Sequence, residues 1–200
     1  YTVYDSYNSE DGKKYIARVY DVYVFVLCLG CSFLIATDIF ISKILYSNDF
    51  FEAWKYVPPL LLSIVFNSAA GLMNTFLSVY KKTRVSMRIS FVVAGMNIIL
   101  NWLFISIFND ALGAAIATAI TFFTNWICSI IVGMRVSGVK ISWRKQFLMY
   151  VILTMQAAEI ILFKNMYVVA IGIVVIVILN WNTIVWARSK WNQLIKFRKV

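Results

Sequence analysis

The chain has 200 residues, of which 62% are hydrophobic, and a formal net charge of +10 at pH 7. An ordinary soluble domain is roughly 45–50% apolar, and the mean hydropathy of +0.78 is correspondingly high. With two prolines and eight glycines, the composition excludes a disordered Pro/Gly-rich chain. The long apolar stretches described next leave no room for a soluble core of any size.

Long apolar stretches fill most of the sequence. A bilayer core of about 30 Å requires about 20 helical residues, and six stretches of that length predict six transmembrane helices. Pro58 and Pro59 suit the start of the second, because the first turn needs no N–H partner. Asn109-Asp110 and Lys164-Asn165 predict tight turns, so the third and fourth spans, and the fifth and sixth, form antiparallel hairpins. The predicted spans are residues 19–41, 58–80, 89–108, 113–134, 147–163 and 166–187.

The basic residues alternate between the two sides of these spans. Sixteen of the 19 lie in residues 13–18, 81–88, 135–145 and 188–199, whereas Lys43, Lys55 and Lys164 lie on the other side. The positive-inside rule therefore predicts cytoplasmic ends, with a cytoplasmic segment at 1–18 and a basic tail at 188–200. This topology explains the net charge, so we expect no nucleic acid partner.

The basic loop between the second and third spans has two interpretations. It sets topology and attracts anionic lipid, or it docks a pyrophosphate headgroup. The candidates for docking are Lys81, Lys82, Arg84 and Arg88.

Small and polar residues form stripes at helical spacing on the first four spans. Such stripes either let helices pack and hydrogen-bond or face a hydrated cavity. For a single residue packing is the simpler interpretation, but stripes on four consecutive helices favour a shared cavity. The candidate lining residues are Asn67, Asn74, Asn97, Asn101, Thr118, Thr121 and Asn125, and the fourth stripe continues to Cys128.

Three acidic residues lie within predicted spans. Glu159 is in the interior of the fifth, and an ionisable group at that depth is a candidate functional site. Asp21 and Asp38 lie near opposite ends of the first span, where interfacial solvation is an equally good explanation. All three are candidates for coupling to H⁺ or Na⁺. Cys28 and Cys31 have C-x-x-C spacing, but the sequence contains no histidine, so we interpret them as packing residues and expect no metal and no cofactor.

Several motifs resemble those of one transporter family. These are Tyr56-Val57-Pro58-Pro59-Leu60-Leu61-Leu62, Lys81-Lys82-Thr83, Asn97-Ile98-Ile99-Leu100-Asn101 and Gly113-Ala114-Ala115-Ile116-Ala117-Thr118. They are similar to the motifs of Wzx-type polysaccharide and O-antigen flippases, in the MOP superfamily that also contains the MATE drug exporters. The resemblance covers residues 50–135, and its motifs belong to the scaffold rather than to a binding site.

The resemblance implies a bacterial inner-membrane protein of 12 or 14 helices in two bundles around a central cavity, of which this chain is the C-terminal portion. It implies flipping of undecaprenyl-diphosphate-linked oligosaccharide by alternating access, with ion coupling and with the polysaccharide polymerase machinery as a partner. An ion-coupled multidrug exporter is the alternative within the superfamily. A membrane-embedded transferase is a third reading, but the sequence offers no carboxylate cluster or sizeable loop for catalysis, so we expect no enzyme.

Overall fold

The computed structural model describes residues 9–45 and 48–197, so residues 1–8 of the predicted cytoplasmic segment and 198–200 of the predicted tail lie outside the described residues. All regular structure in the described part is helical, which confirms the all-α fold class. The elements are α1 (Glu10–Leu45), a 3-10 helix (Asn48–Tyr56), α2 (Val57–Val79), α3 (Thr83–Phe108), α4 (Ala111–Ser137), α5 (Trp143–Phe163), α6 (Met166–Leu179) and α7 (Trp181–Phe197).

Five helices, α1 to α5, are long and apolar enough to cross a bilayer. The first extends well beyond its predicted span: at 1.5 Å per residue, the 36 residues of α1 measure about 54 Å. A hydrocarbon core of about 30 Å cannot cover this length. Part of α1 must therefore lie outside the hydrocarbon core. Its first turns, which contain Glu10, Asp11, Lys13 and Lys14, are charged and precede the apolar stretch.

The sixth predicted span is not one straight helix. Its apolar part forms α6 and its polar part forms α7, with a bend of 60° between them, and the two together make up the sixth candidate span. The bend falls at Asn180, which is buried. Its Nδ2 donates to the Ile176 carbonyl at 2.8 Å and contacts Met149 Sδ at 3.0 Å. These contacts hold the side chain inside the bundle at the break.

The tight turns occur where the sequence predicts them. Asn109 and Lys164 adopt the left-handed conformation, with φ of 48° and 53°. Asp110 caps α4 by accepting a hydrogen bond from Leu112 N at 3.4 Å, and Asn165 caps α6 in the same way. Gly113 then lies directly against the last turn of α3, where an added Cβ would be 2.6 Å from the Phe104 carbonyl carbon. Glycine therefore permits the close α3–α4 hairpin.

The core lies between α1, α2, α4, α5 and α6. An aromatic cluster is at its centre: Tyr150 contacts Phe66 at a centroid distance of 5.0 Å and Trp126 at 4.8 Å, both edge to face. The Tyr20 hydroxyl donates to the Ala69 carbonyl at 3.1 Å, which joins α1 to α2. In contrast, α3 packs on α4 and has Val93 as its one buried residue. Asn97 and Asn101 are among several α3 residues that are half-buried, and the remaining side chains of this helix are exposed.

Side chains from separate loops meet at each end of the bundle. At one end the Tyr56 hydroxyl donates to Asp110 at 2.6 Å, Lys55 pairs with Asp110 at 3.4 Å, and Lys164 lies 5.3 Å from the ring centroid of Trp54. At the other end Arg18 of α1 lies over Trp186 of α7. The three loops predicted for the less basic side therefore lie together, and α1 and α7 meet at the opposite end. The assignment of that opposite end to the cytoplasm stays a prediction from the positive-inside rule.

Candidate functional site

Neutral polar side chains from three helices meet in what we call the polar seam: Asn74 of α2, Asn97 and Asn101 of α3, and Thr121, Asn125 and Ser129 of α4. Asn97 Nδ2 donates to Thr121 Oγ1 at 3.3 Å, and Asn101 Nδ2 donates to Asn97 Oδ1 at 2.9 Å. The Ser129 hydroxyl lies 3.4 Å from Asn74 Oδ1 and 3.5 Å from Asn125 Oδ1. Because Thr121, Asn125 and Ser129 are four residues apart, they form one row along α4.

Most of the seam is enclosed between helices. Thr121, Asn125 and Ser129 are buried, and Asn74, Asn97 and Asn101 are half-buried. Their hydrogen bonds join α3 to α4 and α2 to α4, so these residues contribute to packing in this conformation. Ser129 was not among the predicted lining residues, although it continues the spacing of Thr121 and Asn125. The predicted stripe instead ended at Cys128, which is half-buried and precedes Ser129 by one residue, so it lies outside the row of Thr121 and Asn125.

Beside the seam, the exposed face of α2 is polar from Asn67 onward, with Gly71, Thr75 and Ser78, whereas the exposed Leu60 and Ile64 precede Asn67 on the same face. Thr75 and Ser78 donate to carbonyls of their own helix, at 3.1 and 3.0 Å, so their hydroxyls are satisfied. Asn67 differs: among the described residues its amide makes no hydrogen bond, and its side chain is exposed. Burying an unpaired amide in an apolar medium costs roughly 2–7 kcal/mol, so Asn67 requires water or another polar group as a neighbour.

The remaining predicted residues on these helices lie as follows. Thr118 is half-buried on α4, one turn before Thr121, and donates to the Ala114 carbonyl at 2.8 Å. Lys81, Lys82, Arg84 and Arg88 are exposed on the α2–α3 loop and the first turns of α3. Headgroup docking by these four residues stays a prediction.

The three acidic candidates are not part of the seam, since they belong to α1 and α5. Asp21 is half-buried and accepts a hydrogen bond from Gln146 Nε2 at 3.1 Å. Glu159 is half-buried, with no hydrogen bond or ion pair among the described residues. Asp38 is only 4% exposed; Ser42 donates to its Oδ1 at 3.3 Å, and its Oδ2 has no partner in the described part of the chain.

Gln156 joins three helices, a role that the sequence did not reveal. It is 1% exposed. Its Oε1 accepts from the Ser32 hydroxyl of α1 at 2.8 Å, and its Nε2 donates to the Val169 carbonyl of α6, also at 2.8 Å. Gly172 makes room for this amide, since an added Cβ there would be 2.8 Å from Gln156 Cδ. The only signal in the sequence was a glutamine one turn from Glu159.

At the end of the bundle that contains the α3–α4 turn, Lys55 and Tyr56 surround Asp110 and keep its carboxylate ionised. The hydroxyl of Tyr56 donates to Asp110, the Leu112 N–H donates to the same carboxylate, and Lys55 pairs with it. These contacts lower the pKa of Asp110 below its ordinary value, and the hydrogen bond from Tyr56 has the largest effect. Asp110 is therefore ionised at neutral pH, where it holds the 3-10 helix against the start of α4.

Comparison with known families gives one match. The sequence model of the MatE family matches residues 7–103. This range covers α1, α2 and most of α3, just under half of the chain, and it supports membership of the MOP superfamily of membrane transporters. The MatE match and the apolar helices together support a multi-pass membrane protein. No curated protein and no solved structure gives a significant match to the chain.

Proposed function

We propose that this chain forms part of a transporter that flips a lipid-linked oligosaccharide across the bacterial inner membrane, with alternating access of a cavity that the polar seam and the exposed face of α2 help to line. The MatE match supports the transporter class. The choice of a glycolipid as substrate rests on the chemistry of the seam and on the resemblance of the motifs to polysaccharide flippases.

The observation that carries the proposal is the neutral polar surface around Asn67. The amides and hydroxyls of the seam both donate and accept hydrogen bonds, which suits the hydroxyl groups of a sugar. The seam contains no charged side chain, whereas a site for an amphipathic cation would be expected to contain a carboxylate. Asn67 adds an exposed, unpaired amide to this surface, at a place where lipid alone would be an unfavourable neighbour.

Asp38 is the best placed of the three acidic candidates for coupling to an ion. A buried carboxylate with one unpartnered oxygen is costly when ionised, and binding of H⁺ or Na⁺ would relieve that cost. The same carboxylate is the observation that favours the second candidate function, ion-coupled export of amphipathic cations. Asp38 lies on α1, however, and not in the polar seam, so it serves coupling better than substrate recognition.

The test uses the intact protein in proteoliposomes. One set contains a polyprenyl-diphosphate oligosaccharide with a fluorescent sugar, and flipping is followed by a membrane-impermeant quencher. A second set contains a fluorescent lipophilic cation, and its movement is followed under the same ion gradients. We expect glycolipid flipping that an Asp38→Asn variant uncouples from the gradient, and no movement of the cation. Cation movement without flipping would support the exporter, and inactivity of the folded protein in both assays would overturn the transporter proposal.

Accessibility provides a second readout with a matched control. In a background without other reactive cysteines, Asn67→Cys is expected to react with a water-soluble maleimide, and added glycolipid is expected to slow the reaction. Ile98→Cys lies on α3 beside Asn97, with a side chain that is 72% exposed on an apolar surface, and is expected to react poorly. Equal rates at both positions would contradict a hydrated surface at Asn67.

A further inference from the structure

A polar cavity lies between α1, α5 and α7, and none of its lining residues belongs to the seam. Its volume is about 290 Å³, and it is open to the outside of the bundle. Since a water molecule occupies about 30 Å³ in the liquid, it has room for a small polar group but not for an oligosaccharide. The lining residues are Arg18, Asp21, Lys145, Asn182, Thr183 and Trp186.

The cationic groups in this cavity have neutral partners. Lys145 Nζ donates to Thr183 Oγ1 at 2.6 Å, and the Arg18 guanidinium lies 5.7 Å from the ring centroid of Trp186. Among the described residues neither forms an ion pair with a carboxylate. Asp21 instead accepts from Gln146. Two cations and one carboxylate leave the cavity with a net charge of +1.

The surroundings of the cavity match the boundary between headgroups and acyl chains. Arg18 and Lys145 belong to the basic side of the bundle, and tryptophans such as Trp186 are enriched at headgroup depth. Toward the bilayer centre, α6 presents an outward apolar surface on which Val174 is 56% and Ile178 66% exposed. A polar group in the cavity could therefore continue into acyl chains that lie along α6.

We infer that this cavity binds the phosphate headgroup of an anionic phospholipid from the leaflet on the basic side. Basic pockets between transmembrane helices are known sites for such headgroups. A phosphodiester with one negative charge matches the net charge of +1, with Arg18 and Lys145 as ionic partners and Thr183 and Asn182 as hydrogen-bonding partners. A diphosphate would carry more charge than the cavity neutralises. This inference does not depend on the proposed substrate, because the cavity is separate from the seam.

The test titrates short-chain phosphatidylglycerol into the intact protein in zwitterionic detergent and counts bound lipid by native mass spectrometry, with phosphatidylcholine and inorganic phosphate as parallel titrants. A basic residue near a membrane surface contributes about a fivefold factor in affinity. The double variant Arg18→Gln/Lys145→Gln is therefore expected to bind phosphatidylglycerol about 25-fold more weakly. Phosphatidylcholine is expected to bind more weakly than phosphatidylglycerol in the wild type.

Two control variants distinguish lipid binding in the cavity from nonspecific attraction of the lipid to positive surface charge. Arg135→Gln/Lys140→Gln removes the same charge from exposed positions at the same end of the bundle and is expected to change affinity less than twofold. Asp21→Asn removes the negative charge from the cavity and is expected to tighten binding about fivefold, which a folding defect would not do. Equal losses in the two double variants, no gain in Asp21→Asn, or binding of inorganic phosphate as tight as that of the lipid would each overturn the inference. If the Arg18/Lys145 variant does not fold, the Asp21→Asn result decides.

Discussion

Substitution of Gly172 by alanine tests how α5 and α6 are held together. In the structure an added Cβ at this position would be 2.8 Å from Gln156 Cδ, which is too close for the amide to stay. The Gln156 side chain would have to move, and its hydrogen bonds to Ser32 and to the Val169 carbonyl, both 2.8 Å long, would be lost. We therefore expect one added methyl group to remove the two hydrogen bonds by which Gln156 of α5 holds α1 and α6.

The size of the effect follows from three contributions. Two hydrogen bonds in a membrane bundle at about 1 kcal/mol each give a loss of about 2 kcal/mol, and the strain of moving a packed side chain adds about 1 kcal/mol. Replacement of glycine by alanine in a helix regains about 1 kcal/mol. The expected net loss for Gly172→Ala is therefore about 2 kcal/mol in the free energy of unfolding.

A double-mutant cycle with Gln156→Ala isolates this mechanism. In the Gln156→Ala variant the three atoms nearest to the added methyl group, Nε2, Cδ and Cγ of Gln156, are absent, and no hydrogen bond of this amide remains to be broken. In the Gln156→Ala background, Gly172→Ala should therefore be neutral or should stabilise the protein by up to about 1 kcal/mol. The coupling energy between the two positions is then about 3 kcal/mol, at the upper end of values for contacting residues.

The assay is equilibrium unfolding of the intact protein in mixed micelles, followed by tryptophan fluorescence. Gly30→Ala and Gly95→Ala are matched controls, because an added Cβ at either position has no neighbour within 4 Å. Both are expected to be neutral or slightly stabilising. A loss for Gly172→Ala that persists unchanged in the Gln156→Ala background, or that is no larger than in the controls, would refute the reasoning.

Two further substitutions test the α3–α4 hairpin. The pKa of Asp110 is lowered in the folded state, so its stabilising effect is complete above the unfolded value of about 3.9 and is lost as the pH falls through the lower folded value. Wild-type unfolding midpoints should decrease in that acidic range, whereas Asp110→Asn should show a flatter profile, and identical profiles would argue against the Tyr56–Asp110 contact. Gly113→Ala, whose Cβ would meet the Phe104 backbone, is expected to cost about 1–3 kcal/mol, measured against Gly95→Ala; no difference between them would show that the hairpin is looser than described.

Hydropathy and turn chemistry predicted much of the fold because the bilayer restricts what a chain can do. Apolar stretches of sufficient length must be helical where they cross lipid, and Asn109-Asp110 and Lys164-Asn165 are typical turn pairs. The extension of α1 to Glu10 was not predicted, because hydropathy marks where a helix enters lipid and not where it ends. The bend at Asn180 was also missed, since hydropathy does not show the tertiary contact that this buried amide makes with Met149 at the break.

The candidate site was predictable in composition but not in orientation. The spacing of Asn97, Thr121 and Asn125 placed each residue on a polar face, but whether two faces meet each other or meet water depends on how the helices are rotated. The structure joins Asn97 to Thr121 and leaves Asn67 exposed without a hydrogen bond among the described residues. Likewise, a hydropathy profile does not distinguish Gln156, which connects three helices, from a polar residue that faces a cavity.

The separation of Asp38 from the polar seam bears on how an ion could drive transport. Among the described residues Asp38 of α1 has no hydrogen bond to the seam on α2, α3 and α4, so an ion on Asp38 has no direct contact with the seam residues. Coupling would then require a change in packing that both sites influence. Helix α2 is the element that could transmit it, because Ala69 accepts the Tyr20 hydrogen bond from α1 while Asn74 contacts Ser129 of α4. Under the proposed function, Tyr20→Phe should therefore weaken the dependence of flipping on the ion gradient while glycolipid binding is retained, and unchanged coupling in this variant would exclude the Tyr20–Ala69 contact as the link.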